Sequence, residues 1–184
     1  MKRMIAVIIM VLAMTGPAFA QRTAMQESTS RSRPMPFMSD PLFWGGLVTG
    51  ATGVGLFVAG GVVASEDLDV ALGVMQVSPL LTVAGEFIMN ATMDKTAASW
   101  LAEGVPSNDA LRDKAKRMTY IGAGFGAAGF LLPFFADEDE PATLNIAGML
   151  CGAVCHSIFI YNLYLNRLPW YQGLGQAIDS SRGE

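Results

Sequence analysis

The amino-acid sequence predicts an all-α membrane protein with four transmembrane helices, arranged as two antiparallel hairpins and preceded by a cleavable signal peptide. The 184 residues are 52% hydrophobic and 15% charged, with a mean hydropathy of +0.38. A typical soluble domain carries about 25% charged residues. Four long segments are almost free of charge, and two short acidic connections join them in pairs. The 20 glycines also fit, because glycine is commoner in transmembrane helices than in soluble ones.

The N-terminus, residues 1–20, has the three parts of a secretory signal peptide. Lys2 and Arg3 form a charged start, and an apolar core follows that is too short to span a membrane unaided. Ala18-Phe19-Ala20 supplies the small residues of a cleavage site. An uncleaved anchor helix is the alternative. The segment predicts an exported bacterial protein, placed in the inner membrane if the cell is Gram-negative.

Four apolar segments then meet the length of about 20 residues that a spanning helix needs. A soluble helical bundle would show polar faces every three to four residues, and these segments do not, which disfavours that alternative. They form a predicted transmembrane domain over residues 42–166, between a flexible polar tether at 21–41 and a polar tail at 167–184. The predicted spans are residues 43–64, 70–93, 118–136 and 143–166.

The connections between the spans predict how the helices pair. Residues 65–69 and 137–141 are short and acidic, so the helices on either side should lie antiparallel. The middle connection, residues 94–117, is longer and mixed in charge. Both hairpins run from an apolar end through an acidic loop into the next span, which suggests a parallel tandem repeat. Two unrelated Gly-rich hairpins would look alike, so the repeat remains one of two interpretations.

Two rules predict opposite orientations of the chain in the membrane. Signal cleavage would leave residue 21 outside the cell, with both acidic loops in the cytoplasm. Every Lys and Arg after residue 20 lies on the opposite face, with the termini and the middle connection, whereas Lys and Arg normally collect in the cytoplasm. We favour the signal-peptide orientation, because a translocated N-terminus commits the direction of the first span.

Glycines at helical spacing predict where the spans pack. Lipid tails give helices no hydrophobic reason to associate, so close backbone contact across small residues supplies dispersion instead. Gly46 and Gly50 form a GxxxG pair, with Gly53 near the same face, and Gly122 and Gly126 form a second pair in the third span. A phosphate-binding loop is the competing interpretation, and the strand–turn–helix context that it requires is missing.

A polar stripe on the second span is the candidate functional site. Ser78, Thr82, Glu86 and Asn90 are spaced four apart, so each lies about 40° round the helix from the last. On the fourth span, His156, Tyr161 and Asn162 lie on or beside a small-or-polar face. If these two helices pair, Glu86 should match the depth of Asn162, with His156 about 7.5 Å deeper. A direct bond between Glu86 and His156 would then need a kink or a water.

Glu86 has three interpretations, because a carboxylate in hydrocarbon is costly unless it is paired, hydrated or protonated. The structural interpretation makes it part of a hydrogen-bonded polar core, or places it near enough to the interface to reach water. The functional interpretation makes these polar residues a proton or cation relay. The third is a contact with lipid or a partner protein. The structural interpretation is favoured.

Other classes of site find little support in the sequence. Cys151 and Cys155 share a helix face, but His156 lies about 100° further round, so core packing is favoured over metal binding. No cofactor is predicted and no motif of a catalytic site is found. The net charge of −4, without a basic run interleaved with aromatics, disfavours nucleic acid.

The sequence therefore predicts a small multi-pass protein, a non-catalytic subunit of the bacterial envelope or of a membrane complex. Its expected partners are the lipid bilayer and either further copies of itself or another membrane protein. The alternative is a small oligomeric transporter or channel that uses Glu86 for proton or cation coupling. Oligomerisation is expected in that case, because four short helices enclose little space.

Overall fold

The computed structural model describes residues 40–64, 66–105, 107–136 and 141–181, and every regular element in these ranges is helical. Four helical segments are long and apolar enough to cross a membrane. They are Pro41–Val63, Leu68–Ala102, Asp109–Phe135 and Thr143–Ile178. The predicted signal peptide, and all of the tether before residue 40, lie outside the described residues.

The first two helices begin at carboxylate caps. Helix α1, Pro41–Val63, starts where Asp40 accepts a hydrogen bond from the backbone N–H of Leu42 at 2.8 Å. Helix α2, Leu68–Ala102, starts where Asp67 accepts from the N–H of Val70 at 3.2 Å. At 35 residues α2 is about 52 Å long, well beyond the roughly 30 Å of hydrocarbon in a bilayer. It therefore continues past the predicted end of its span at residue 93.

Helix α3, Asp109–Leu131, also begins outside its predicted span. The side chain of Asn108 accepts from the N–H of Leu111 at 3.2 Å, which satisfies one of the free donors of the first turn. A 3₁₀ turn, Leu132–Phe135, follows directly. Pro133 lies within this turn, and a proline cannot donate the hydrogen bond that continues an α-helix.

The C-terminal region differs from the sequence prediction of a polar tail beginning at residue 167. Helix α4, Pro141–Asn162, passes through a π-helical turn, Leu163–Arg167, into helix α5, Leu168–Ser181. Helix α5 is amphipathic, and in the sequence its apolar residues alternate with the glutamines and glycines of its other face. The composition of the segment is therefore polar, although one face is apolar. The buried residues of that face are Trp170, Tyr171, Leu174 and Ile178.

This apolar face completes a hydrophobic core at one end of the molecule. It packs in one cluster with the C-terminal part of α2 and the N-terminal part of α3, including Met93, Ala97 and Ala115. We call α5 and these two helix ends the cap. The ring of Phe43 in α1 lies 5.1 Å from that of Tyr171, edge to face, so the start of α1 also belongs to this end. The connection between α1 and α2 lies at the far end of α2.

Glycines lie where the helices approach most closely. A Cβ added to Gly46 would lie 2.9 Å from the backbone oxygen of Gly85, and one added to Gly85 would meet the backbone of Gly50. Gly53 faces Thr82 in the same way. In α3, a Cβ on Gly126 would lie 2.7 Å from Val83.

Of the glycines named from the sequence, Gly46, Gly50, Gly53, Gly122 and Gly126 are all buried. Gly85 was not among them, although its hydrogen atom faces the backbone of α1.

Candidate functional site: a buried polar cluster

Glu86 lies at the centre of a polar cluster that joins α2, α3 and the end of α4. Its side chain is 2% exposed. The carboxylate oxygen Oε1 accepts a hydrogen bond from Nδ2 of Asn162 at 3.2 Å. The same oxygen lies 3.9 Å from Nη2 of Arg167. The buried carboxylate therefore has both an amide partner and a counter-ion.

Arg167 is the second charge of the cluster, and it is 0% exposed. Its Nη2 group has two N–H bonds, which are shared among the backbone oxygen of Glu86 at 3.1 Å, Oδ1 of Asn90 at 3.0 Å and Oγ1 of Thr119 at 2.8 Å. These three acceptors lie on two different helices, α2 and α3. One guanidinium group thus ties both helices to the chain that leaves α4.

The π-helical turn explains how Arg167 reaches the cluster. In a regular α-helix, Arg167 would lie about 140° round the axis from Asn162. The i→i+5 hydrogen bonding of a π-turn adds a residue to the turn and brings Arg167 back towards the face of Asn162. As a result Asn162, Asn166 and Arg167 are all fully buried.

The two asparagines of α4 and its π-turn extend the network to α3. Nδ2 of Asn162 lies 3.0 Å from the backbone oxygen of Ala115 and 3.4 Å from Oγ1 of Thr119. Nδ2 of Asn166 donates to Oδ1 of Asn162 at 2.9 Å. The hydroxyl of Thr119 donates to the oxygen of Ala115 at 3.2 Å, so its lone pairs remain for Arg167 and Asn162.

The opposite charges of Glu86 and Arg167 neutralise each other within the cluster. Removing a carboxylate and a guanidinium from water costs several kcal/mol for each ion, and their attraction offsets this cost only with supporting hydrogen bonds. Asn90, Thr119 and Asn162 supply those bonds. Two nitrogens of Arg167, Nε and Nη1, have no hydrogen-bond partner among the described residues. The hydrogen bonds of the guanidinium to described residues are therefore all made by Nη2.

A second polar group lies one to two turns before Glu86 on α2. His156 is buried, with Nε2 3.1 Å from Oγ of Ser78 and Nδ1 2.9 Å from Oγ1 of Thr82. The hydroxyl of Ser78 also donates to the backbone oxygen of Met75 at 2.9 Å, and the hydroxyl of Thr82 lies 3.3 Å from the backbone oxygen of Gly50. The imidazole therefore lies between two hydroxyl groups of α2 that also contact backbone oxygens.

The polar residues named from the sequence divide into three sets. Glu86, Asn90 and Asn162 meet in the cluster with Arg167, and Glu86 matches Asn162 in depth. Ser78, Thr82 and His156 form the separate second group. Tyr161 belongs to neither, because it is 42% exposed on the outer side of α4, one residue round from the inward-facing Asn162.

Arg167, Thr119 and Asn166 complete the site and were not predicted as site residues. Arg167 follows the last long apolar run, so it was counted with the surface charges of the terminal face. A signal was present in its surroundings. Two asparagines four apart precede it, and an apolar pair, Trp170 and Tyr171, follows at helical spacing. A charge enclosed on both sides by inward-facing positions is itself expected to face inward.

The cysteines lie apart from any recognisable metal site. Cys155 is buried and Cys151 is partly buried, and neither forms a disulfide. A Cβ on Gly126 would lie 3.2 Å from Sγ of Cys155, so this thiol fills space between α3 and α4. Within the described ranges, no three His, Cys, Asp or Glu side chains are grouped as metal ligands.

Four helices of the described residues are long and apolar enough to cross a membrane, which suggests a multi-pass helical membrane protein. A closed, charge-paired polar cluster lies within it. Comparison with models of known families, with curated proteins and with solved structures finds no match to this chain.

Proposed function

We propose that the chain is a non-catalytic subunit of the bacterial envelope, or of a complex in the inner membrane, and that its polar cluster is structural. The observation that supports this proposal best is the pairing of Glu86 with Arg167. Both side chains are almost fully buried, and their hydrogen bonds are made to groups on neighbouring helices. Such an arrangement fixes the helices relative to one another.

The geometry also disfavours a working relay at Glu86. A relay group must exchange its proton or ion with water or with a second partner that moves. Here Oε1 of Glu86 is occupied by Asn162, and Oε2 faces the glycine of α3, since a Cβ on Gly122 would lie 3.5 Å from it. The residue as a whole is only 2% exposed, so little of the carboxylate is accessible to solvent.

The proposal includes an arrangement of the chain in the membrane. Residues 1–20 act as a signal peptide, and α1 with α2, and α3 with α4, form two antiparallel hairpins. The close backbone contact of Gly46 and Gly50 with Gly85 supports the first hairpin. The contact of Gly129 with Gly148 and Gly152 supports the second, since a Cβ on Gly129 would lie 2.9 Å from the nitrogen of Gly152.

The lateral surface of the spans supports a bilayer as the surrounding medium. Large apolar side chains remain exposed along the helices, far more than a soluble monomer tolerates. They include Val58, Val62, Ile121, Leu131, Phe134, Phe135, Leu150 and Ile160. Further copies of the chain or another membrane protein are the proposed partners at part of this surface.

A small transporter or channel is the second candidate, and one observation favours it. Ser78, Thr82, Glu86 and Asn90 are all buried, so successive turns of α2 carry a polar group over about 18 Å. Together with His156 and Asn162, these four residues would form a chain of proton donors and acceptors. As an oligomer, the protein would then couple ion movement to Glu86.

Ion flux separates the two candidates. We expect liposomes containing the purified protein to show the same proton and cation permeability as empty liposomes at every pH from about 5 to 9, a range that spans histidine and carboxylate titration. Flux that appears with the wild-type protein and disappears with Glu86→Gln would contradict the structural proposal. The Glu86→Gln protein must first be shown to keep the wild-type thermal stability in detergent.

A further inference from the structure

Three exposed tyrosines of the described residues lie near the depth of the polar cluster. Tyr120 on α3 is 65% exposed and packs edge to face against Phe87 on α2, with ring centroids 5.7 Å apart. Tyr161 and Tyr164 on the α4 side are also exposed, and Tyr161 adjoins Asn162, which bonds Glu86. Aromatic belts of this kind lie at the membrane–water interface. The belt therefore places the interface at the level of the polar cluster, with the cap beyond it.

Basic side chains lie just beyond this aromatic belt. The segment from Asp109 to Arg117 carries four basic and two acidic residues, directly before the third span. Arg117 is exposed about one turn outside Tyr120, and Lys114 is exposed about one turn further out. Lys95 is exposed on the neighbouring end of α2. We call Lys95, Lys114 and Arg117 the basic rim.

The neighbouring basic residues of the cap form ion pairs, whereas those of the basic rim do not. Lys116 binds Asp94 at 2.6 Å, and Arg112 binds Asp109 at 2.9 Å. Neither Lys114 nor Arg117 forms an ion pair with any other described side chain, and the same holds for Lys95. The nearest competing carboxylate along α3, Asp113, is four residues from Arg117 and is not paired with it. The three side chains of the rim therefore carry positive charge without an ion-pair partner, and Asp113 is an unpaired carboxylate beside them.

We propose that the basic rim binds the phosphate groups of anionic phospholipids. The rim projects where headgroup phosphates lie, about one to two turns beyond exposed interfacial tyrosines. Each Lys or Arg held near an anionic membrane surface contributes about 1 kcal/mol of attraction. A soluble anionic partner would approach the same charges from the water, but the adjoining apolar side chains favour a lipid, whose acyl chains pack along Tyr120 and Ile121.

The opposite end of α2 makes this lipid preference one-sided. Its connection to α1 carries Glu66, Asp67 and Asp69, and the described residues there include no Lys or Arg. Anionic headgroups are repelled at that end. The expected preference is therefore for anionic lipid in the leaflet next to the cap only. The proposal depends on the membrane placement of the four spans, and it is independent of whether Glu86 is structural or part of a relay.

A lipid titration tests the proposal on the purified full chain. Protein in a neutral detergent receives increasing mole fractions of phosphatidylglycerol or phosphatidylcholine, and the thermal unfolding midpoint is measured. A lipid that binds the folded protein alone raises this midpoint in proportion to its occupancy. We expect saturable stabilisation by phosphatidylglycerol, weakened by salt, and little by phosphatidylcholine. Free glycerol phosphate should have no effect, because it lacks acyl chains.

Two double variants provide the comparison. Lys114→Gln with Arg117→Gln removes both charges and should raise the half-saturating fraction of phosphatidylglycerol by roughly tenfold to thirtyfold. Lys114→Arg with Arg117→Lys keeps both charges and should leave it within about twofold of wild type, because charge dominates attraction to a membrane surface.

Equal stabilisation by both lipids, or unchanged titrations with the glutamine variant, would overturn the proposal. Stabilisation by glycerol phosphate would assign the rim to a soluble anion instead. A wild-type protein that stays folded and monodisperse without detergent would instead refute the membrane placement itself.

Discussion

At the scale of single residues, Glu86 and Arg167 depend on each other because each is buried without access to bulk water. The energetic asymmetry of such a pair is large. Exchanging both charges for apolar or neutral groups is often nearly neutral, whereas removing one leaves the other uncompensated in the interior. The distance of 3.9 Å between Oε1 and Nη2 means that Asn162 and Asn90 share in holding the two charges.

Arg167→Met is therefore expected to lower the free energy of unfolding by about 3–5 kcal/mol, because it leaves the carboxylate of Glu86 unpaired. The double variant Glu86→Gln with Arg167→Met should lose markedly less, since no buried charge remains. Unfolding in mixed micelles measures all three proteins in one thermodynamic cycle. Gln172→Met, at an exposed position of α5 outside the cluster and the basic rim, is the control and should change stability little. Losses that simply add in the double variant would show that the two charges are not coupled.

The residues of the cluster show what spacing in a sequence can and cannot predict. Glu86, Asn90 and Asn162 were predicted because a polar group in an apolar run is conspicuous and its helix face follows from the period. Arg167 was not predicted as a site residue, because a charge at the end of an apolar run normally faces water. The π-turn brings it towards Asn162, and no residue between Leu163 and Arg167 signals such a turn, although the inward-facing positions on both sides favour burial. Tyr161 was misplaced by a single step of about 100° round the helix.

At the scale of helices, close packing depends on positions that have no side chain. Gly85 shows this best, because a Cβ there would meet the backbone of Gly50 and lie 2.5 Å from the oxygen of Gly46. Backbone atoms of a neighbouring helix cannot rotate away as the end of a side chain can. Any residue larger than glycine must push α1 and α2 apart. Gly73, on the same helix, has open space around it.

Gly85→Ala and Gly73→Ala form a matched pair on α2. Gly85→Ala is expected to destabilise the protein by about 1–3 kcal/mol, because it overpacks the contact with α1. Gly73→Ala should be neutral or should stabilise by up to about 1 kcal/mol, since alanine is the better helix former and meets nothing. Thermal unfolding in detergent measures both. A Gly85→Ala protein as stable as the Gly73→Ala protein would mean that α1 and α2 are not in contact here.

The helices themselves were largely predictable, because length and the absence of charge are strong signals for a membrane span. Helix α5 was not predicted, since in the sequence the apolar residues of its buried face alternate with glutamines and glycines. The extensions of α2 and α3 beyond the predicted spans have the same cause. In all three cases the apolar residues pack into the hydrophobic core of the cap, so they recur at helical spacing instead of forming a continuous run.

At the scale of the whole molecule, the two ends differ in architecture and charge. The cap has a hydrophobic core, paired surface charges and the basic rim, and the connection of α1 to α2 at the other end carries Glu66, Asp67 and Asp69. Val105 and Ile178 belong to the same hydrophobic cluster, so the middle connection and α5 lie at the same end. The described basic residues all lie at this end, which sharpens the conflict between the signal peptide and the usual cytoplasmic position of Lys and Arg.

Reporter fusions resolve the topology. Fusions after Val105 and at the C-terminus should report the same side of the membrane, and a fusion after Asp67 should report the opposite side. The expected reason is that α2 crosses the bilayer once between Asp67 and Val105. Three reporters on one side would contradict the four-span arrangement. The side reported by Val105 would also decide between the two orientations, since the signal-peptide orientation places it outside the cell.

The position of Arg167 near the end of the chain has a consequence for biosynthesis. Its contact with Glu86 joins residues 81 positions apart. Ribosomes add about 5–20 residues per second, so Glu86 is made several seconds before the residue that neutralises it. During that interval the new chain carries an unmatched carboxylate, which must be kept hydrated, protonated or shielded. The charge pair can close only after α4 and the π-turn that follows it have been made.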